Sequence, residues 1–174
     1  MYLCVFVPLC SINKNMEKAI YYFNPENDMA LANFTPYYKA PAEIVRMADD
    51  LAALPAWYAP EGSVVKVRRE ADIPCWEKLC EGEMPFPQVG WTAHWLSSAY
   101  VPWGWSPALV HTLLQAGVGS GFLPSAGALE AWRRLSGRVC ASEVLRSFAG
   151  MKGICGESRV CLTLEEVRKA WGGW

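Results

Sequence analysis

Histidine is scarce in this chain: His94 and His111 are the two present, and neither has an Asp or Ser beside it. There is no Gly-x-Ser-x-Gly run either, so nothing in the sequence suggests a Ser-His-Asp hydrolase. Paired cysteines are missing. The seven cysteines, at 4, 10, 75, 80, 140, 155 and 161, are odd in number and contain no Cys-x-x-Cys. A structural zinc site draws about four ligands from clustered pairs, so no metal site is expected and the thiols read as small, reduced hydrophobes. A surplus of one charge is also absent: 16 basic against 17 acidic residues leave a net charge of −1 and no basic stripe. The densest basic patch, Lys66-Val67-Arg68-Arg69, reads as a solvated strand end, and no nucleic-acid partner is expected. The apolar run Tyr2 to Cys10 is well short of the roughly 18–20 residues that span a bilayer, and no Lys or Arg precedes it as in a signal peptide. The expected location is cytoplasmic, with no membrane contact. The chain has neither repeats nor a low-complexity segment.

Strand and helix signals alternate. Lys18 to Phe23 is near-continuously apolar and is cut by Asn24-Pro25, which predicts a strand buried on both faces. Pro41 opens a helix with Ile44, Val45, Ala48, Leu51 and Ala52 on one side, ended by Pro55. Ser63 to Val67 reads as a second strand, and Pro74 to Cys80 as a short helix with Trp76 and Leu79 inward. A third strand is expected around Gln88 to Trp91. Ser106 is an N-cap with Pro107 first in a helix that buries Leu109, Val110, Leu113 and Leu114 and stops at Gly117. Val118 to Leu123 reads as a short strand, and Pro124-Ser125 starts a helix with Leu129, Trp132 and Leu135 inward. A second helical run covers Cys140 to Phe148. The apolar run Arg159 to Leu162 precedes a helix that Thr163 and Glu166 open in the capping-box pattern, with Leu164, Val167, Ala170 and Trp171 on one face. This alternation predicts an α/β fold with an open, mostly parallel, Rossmann-like sheet and flanking helices.

In such sheets ligands collect past the carboxyl ends of the strands. The loop Asn24-Pro25-Glu26-Asn27-Asp28 places carboxylates and amides there, suited to a hydroxyl, an amine or metal-bound water. Asn24 and Asp28 equally suit turn capping. Trp91, Trp95, Trp103 and Trp105 read as cover for the sheet, or as a platform for a sugar or base. Trp103-Gly104-Trp105-Ser106 stands apart, because Ser106 and free helical N–H groups can hold an anion. The candidate substrate-binding residues are therefore Asn24, Glu26, Asp28, Trp103, Trp105 and Ser106. Gly117-Val118-Gly119-Ser120-Gly121 follows a helix rather than a strand and so is no dinucleotide motif. No catalytic residue stands out.

The order of parts resembles the front half of ATP-grasp ligases: a small α/β domain, a helix-loop-helix with a basic residue, a short strand and a capped helix. The phrases Asn24 to Ala32, Trp103-Gly104-Trp105-Ser106 and Leu135-Ser136-Gly137-Arg138 look like an uncharacterised bacterial ATP-grasp-like family, over a stretch from about Met16 to the end. Met16 stands directly before the first strand signal, so residues 1–15 read as an N-terminal extension upstream of the fold. The resemblance implies a pre-ATP-grasp domain at 16–138 and the beginning of an incomplete ATP-grasp domain at 139–174. It implies Arg138 as a phosphate contact, although Gly137-Arg138 replaces the more usual acid-then-Lys pair. ATP and Mg2+ are then expected only for a complete protein that carries the missing C-terminal ATP-grasp domain. That protein would activate a carboxylate with ATP and transfer it to an amine or similar nucleophile, while this chain alone is inactive. The other readings are a non-catalytic α/β ligand-binding or interaction module and a Rossmann-like nucleotide-sugar binding domain; each takes a small-molecule ligand.

Overall fold

The computed structural model describes residues 19–81, 87–148, 150 and 161–171. The expected strand at Lys18 to Phe23 is present as β1, Ile20–Tyr22, and it lies inside a four-stranded sheet. Its neighbours are β2, Val64–Lys66, and β4, Tyr100–Pro102, with β3, Gly90–Thr92, beyond β2. All three pairings are parallel and in register: Ile20 faces Val64 and Tyr100, and Tyr22 faces Lys66 and Pro102. The fold is thus α/β with an all-parallel sheet of order β3-β2-β1-β4.

Side chains alternate between the two faces of a strand, and both faces of β1 are covered. Ala19 and Tyr21 join Ala56, Ala59 and Val65 in one buried cluster, against which Cys80, Trp91 and Val101 pack. Ile20 joins Tyr100, Leu109, Leu113 and Val118 in the other, with Tyr22, Trp95 and Trp105 packed against it. Complete burial of Leu113 and Ile20 stabilises the fold by about 1.5–3 kcal/mol each. The helices of this unit are α1, Asn27–Asn33; α2, Ala42–Asp50; α3, Ile73–Cys80; and α4, Pro107–Gln115. Pro55 lies in a 3-10 turn, Leu54–Trp57, after α2 has already ended.

Several sequence expectations need correction. The third strand is displaced to Gly90–Thr92. Val118 to Leu123 is not a strand: Ser120–Phe122 forms a 3-10 turn. The cause lies at the end of α4, where Gly117 takes φ +83 and donates to Leu114 O at 3.0 Å, while Val118 N donates to Leu113 O at 3.0 Å. These two bonds are the Schellman pattern, and Val118 is consumed in seating the helix end. The apolar stripes are also wider than the surface that covers them. Leu51, Leu79, Leu114 and Leu135 are exposed, while Ala48, Leu109, Leu113 and Leu129 are buried.

The chain divides into two units after Ala126. The second holds α5, Ala126–Ser136; α6, Arg138–Ser147; and α7, Leu164–Trp171. The capping box at α7 is formed: Glu166 N donates to Thr163 Oγ1 at 3.2 Å, and Thr163 N donates back to Glu166 Oε2 at 3.2 Å. Leu164, Val167 and Trp171 are exposed. Arg159 and Val160 of the expected apolar run lie outside the described residues.

Candidate functional site

Strand order reverses its sense at β1: β2 and β3 lie on one side and β4 on the other. Loops leaving β1 and β4 therefore diverge around a crevice at the carboxyl edge, the place where open α/β sheets bind ligands. Asn24 fastens these loops together. Its buried side chain donates to Gly104 O at 2.8 Å and accepts from Gly104 N at 3.2 Å. Gly104 is needed for close approach, because a Cβ built there would stand 2.0 Å from Asn27 Nδ2.

A cavity of about 400 Å³ opens at this edge. From the β1 side it is lined by Tyr22 and Glu26, from β2 by Lys66 and Arg68, past β3 by Trp95, and at the start of α4 by Ser106. Tyr38 and Thr112 complete its polar wall. Ser106 caps α4 as predicted, its Oγ accepting from Leu109 N at 3.3 Å. The first turn of α4 thereby presents its positive end beside the cavity.

Lys66 dominates the electrostatics. It is 4 % exposed, and its Nζ donates to Val67 O at 2.5 Å and lies 4.5 Å from the centre of the Trp95 ring. No carboxylate among the described residues forms an ion pair with it. Burial, reinforced by the positive charge of Arg68, lowers its pKa to about 8. Arg68 itself pairs with Asp49 at 3.2 Å and is half exposed. Burial raises the pKa of Glu26, opposed by a hydrogen bond with its own backbone and by Arg68. Burial likewise raises the Tyr22 phenol, which stays protonated and able to donate. Tyr22 stands edge-on to Trp95, ring centres 5.2 Å apart. Two cations, one carboxyl whose pKa burial raises and an aromatic wall thus line one cavity, groups chemically suited to a small anion with an apolar body.

Of the residues singled out in the sequence, Glu26 and Ser106 meet in this cavity. Asn24 sits behind it as the clasp on Gly104. Asp28 is exposed on α1 and is not part of the lining. Trp103 is half exposed and packs edge-on against Phe23 at 5.4 Å, and Trp105 packs into the core around Ile20; neither lines the cavity. Arg138 is exposed at the start of α6 in the second unit. The cluster Lys66-Val67-Arg68-Arg69 is solvated at Arg68 and Arg69 only; reading all of it as a solvated strand end overlooked Lys66. The signal was available in the register, because the last residue of a strand neighbouring β1 faces the same crevice as Tyr22.

Among the described residues no group of three or more His, Cys, Asp or Glu is placed to hold a metal ion. No described helix is long and apolar enough to cross a membrane. Comparison with known protein families, with curated proteins and with solved structures finds no match to this chain.

Proposed function

We propose that the first unit is a binding domain for a small anionic molecule, and that it serves as the substrate-holding front part of an ATP-grasp-type ligase-like protein. The observation that carries the binding proposal is Lys66. A buried ammonium group is costly without an anionic partner, and Lys66, which lines the cavity, forms no ion pair among the described residues. A ligand carboxylate or phosphate supplies that partner, with Arg68 and the first turn of α4 as further positive groups. The ligase part of the reading is supported by the resemblance of the loop and helix phrases alone. In it, Arg138 contacts phosphate, and ATP and magnesium act in the complete protein.

Calorimetry with a panel of small carboxylates and phosphate monoesters tests the binding proposal. Binding should weaken with added salt and fall about tenfold or more in Lys66→Met, since a hydrogen bond to a charged group contributes about 1.5–3 kcal/mol. A panel that binds Lys66→Met as well as the parent refutes the proposal. Magnesium-ATP separates the ligase reading of this chain from an independent nucleotide site. One charged contact at Arg138 is far from the roughly 8 kcal/mol of micromolar affinity, so weak or absent binding is expected. Micromolar binding lost in Arg138→Ala would place a nucleotide site on this chain. The nucleotide-sugar reading is less favoured: the loop after β1, Phe23 to Glu26, carries a proline and no glycine where a pyrophosphate needs close backbone approach.

A further inference from the structure

We infer that Lys66 is a carbonyl-reactive amine: it condenses with a small aldehyde or ketone acid whose anionic group is held in the same cavity, to form an imine. The inference rests on the reading above that the cavity takes a small anion.

Four features support this chemistry at Lys66. Lys66 lines the cavity and is nearly fully buried, its Nζ donates to the backbone carbonyl of Val67, and no carboxylate among the described residues forms an ion pair with it. Desolvation beside another cation is the setting that leaves a lysine nucleophilic near neutral pH. The lowered pKa leaves a larger share of Lys66 as free amine at pH 7 than a lysine at its ordinary value has. The Trp95 ring 4.5 Å from Nζ then offers its face to the iminium cation that forms. Arg68 on the same wall supplies a guanidinium fork for the carboxylate of the incoming acid.

The step balances without a redox partner. The neutral amine attacks the carbonyl carbon, the carbonyl oxygen takes up a proton, and the nitrogen loses one to give the carbinolamine. A second proton delivered to that hydroxyl lets it leave as water, and the nitrogen lone pair closes the C=N bond. Glu26, whose pKa burial raises, and the Tyr22 phenol both line the cavity and can pass these protons to and from the reacting groups.

Glyoxylate with cyanoborohydride is the probe. The hydride adds to the imine carbon and leaves a carboxymethyl group on the lysine nitrogen, which peptide mapping locates. On the unmodified full chain near pH 7, Lys66 should be labelled at least about tenfold faster than exposed Lys39, Lys78 and Lys169. Arg68→Gln should slow labelling of Lys66 at low glyoxylate and leave the exposed lysines unchanged. Labelling of Lys66 at or below the pace of the exposed lysines overturns the inference. Glycolate, which has the carboxylate but no carbonyl, separates the two readings. Calorimetric binding of glycolate without selective labelling refutes the imine alone, whereas absence of both refutes the anion cavity as well.

Discussion

Burying an ammonium group beside a guanidinium carries a free-energy penalty at neutral pH, and in this chain the penalty falls on Lys66. Folded Lys66 releases its proton near pH 8, whereas the unfolded chain holds it to about 10.5. Between those values the unfolded state binds the extra proton, so stability rises with pH across that window. Although protein covers nearly all of the side chain, Lys66 lines an open cavity, and water there screens the effect to on the order of 1–2 kcal/mol. Urea titrations from pH 8 to 9.5 should show the rise. Higher pH adds an opposing trend, because folded Tyr58 keeps its proton to about 12 and so favours the folded state less as the unfolded phenol ionises. Lys66→Met should abolish the rise and stabilise the protein at pH 7 by about 1–2 kcal/mol while losing anion binding, the exchange expected of a functional group. Ser106→Ala, by contrast, should cost about 1 kcal/mol through the lost cap of α4. At this scale the sequence was legible where a residue acts locally. Ser106 capping Leu109 and Thr163 capping Glu166 are both short-range pairs. Lys66 was illegible because a lysine at a strand end is ordinarily solvated, and only its register beside Tyr22 buries it.

At the scale of elements, the loops after β1 and β4 act as one body through Asn24, Asn27 and Gly104. Gly104→Ala forces a methyl into Asn27 and should destabilise by about 1–3 kcal/mol, the range for overpacking. Gly117→Ala meets nothing within 4 Å but must keep φ +83, so its loss of about 1–2 kcal/mol is purely backbone. The two glycines differ in how they respond to a second change. Asn27→Ala should recover part of the Gly104→Ala loss and none of the Gly117→Ala loss in a double-mutant cycle followed by denaturation. Full additivity at both positions would mean that the contact of Gly104 with Asn27 is energetically idle. Helices α2, α4 and α5 were readable from their periods and their Pro and Ser starts. The strands were harder, since each regular segment is three residues long and its identity depends on partners far away in sequence. Val118 illustrates the limit: the same apolar residue serves a strand or a helix stop, and Gly117 decided for the stop.

For the whole molecule, the division after Ala126 separates a sheet with two buried faces from helices rich in exposed apolar side chains. Helix α7 has no buried residue. Amides of Ile20–Tyr22 should therefore exchange slowest and those of Leu164–Trp171 fastest, and equal protection in both would contradict the division of stability drawn here. The α/β class followed from the alternation of apolar runs and helical periods, whereas the strand order could not, because pairing depends on residues distant in sequence. That order has a bearing on how the protein is made. Ile20 pairs with Val64 and Tyr100, 44 and 80 residues further along (64 − 20 and 100 − 20). At about 5–20 residues per second, a ribosome releases β1 roughly 4–16 s before β4 exists to meet it. Through that interval an apolar segment has its backbone edges open to any passing strand, in a cell crowded with other nascent chains. Newly made β1 is thus the segment on which a holding chaperone would act first, and the arrival of residues 100–102 is the moment at which its shelter becomes unnecessary.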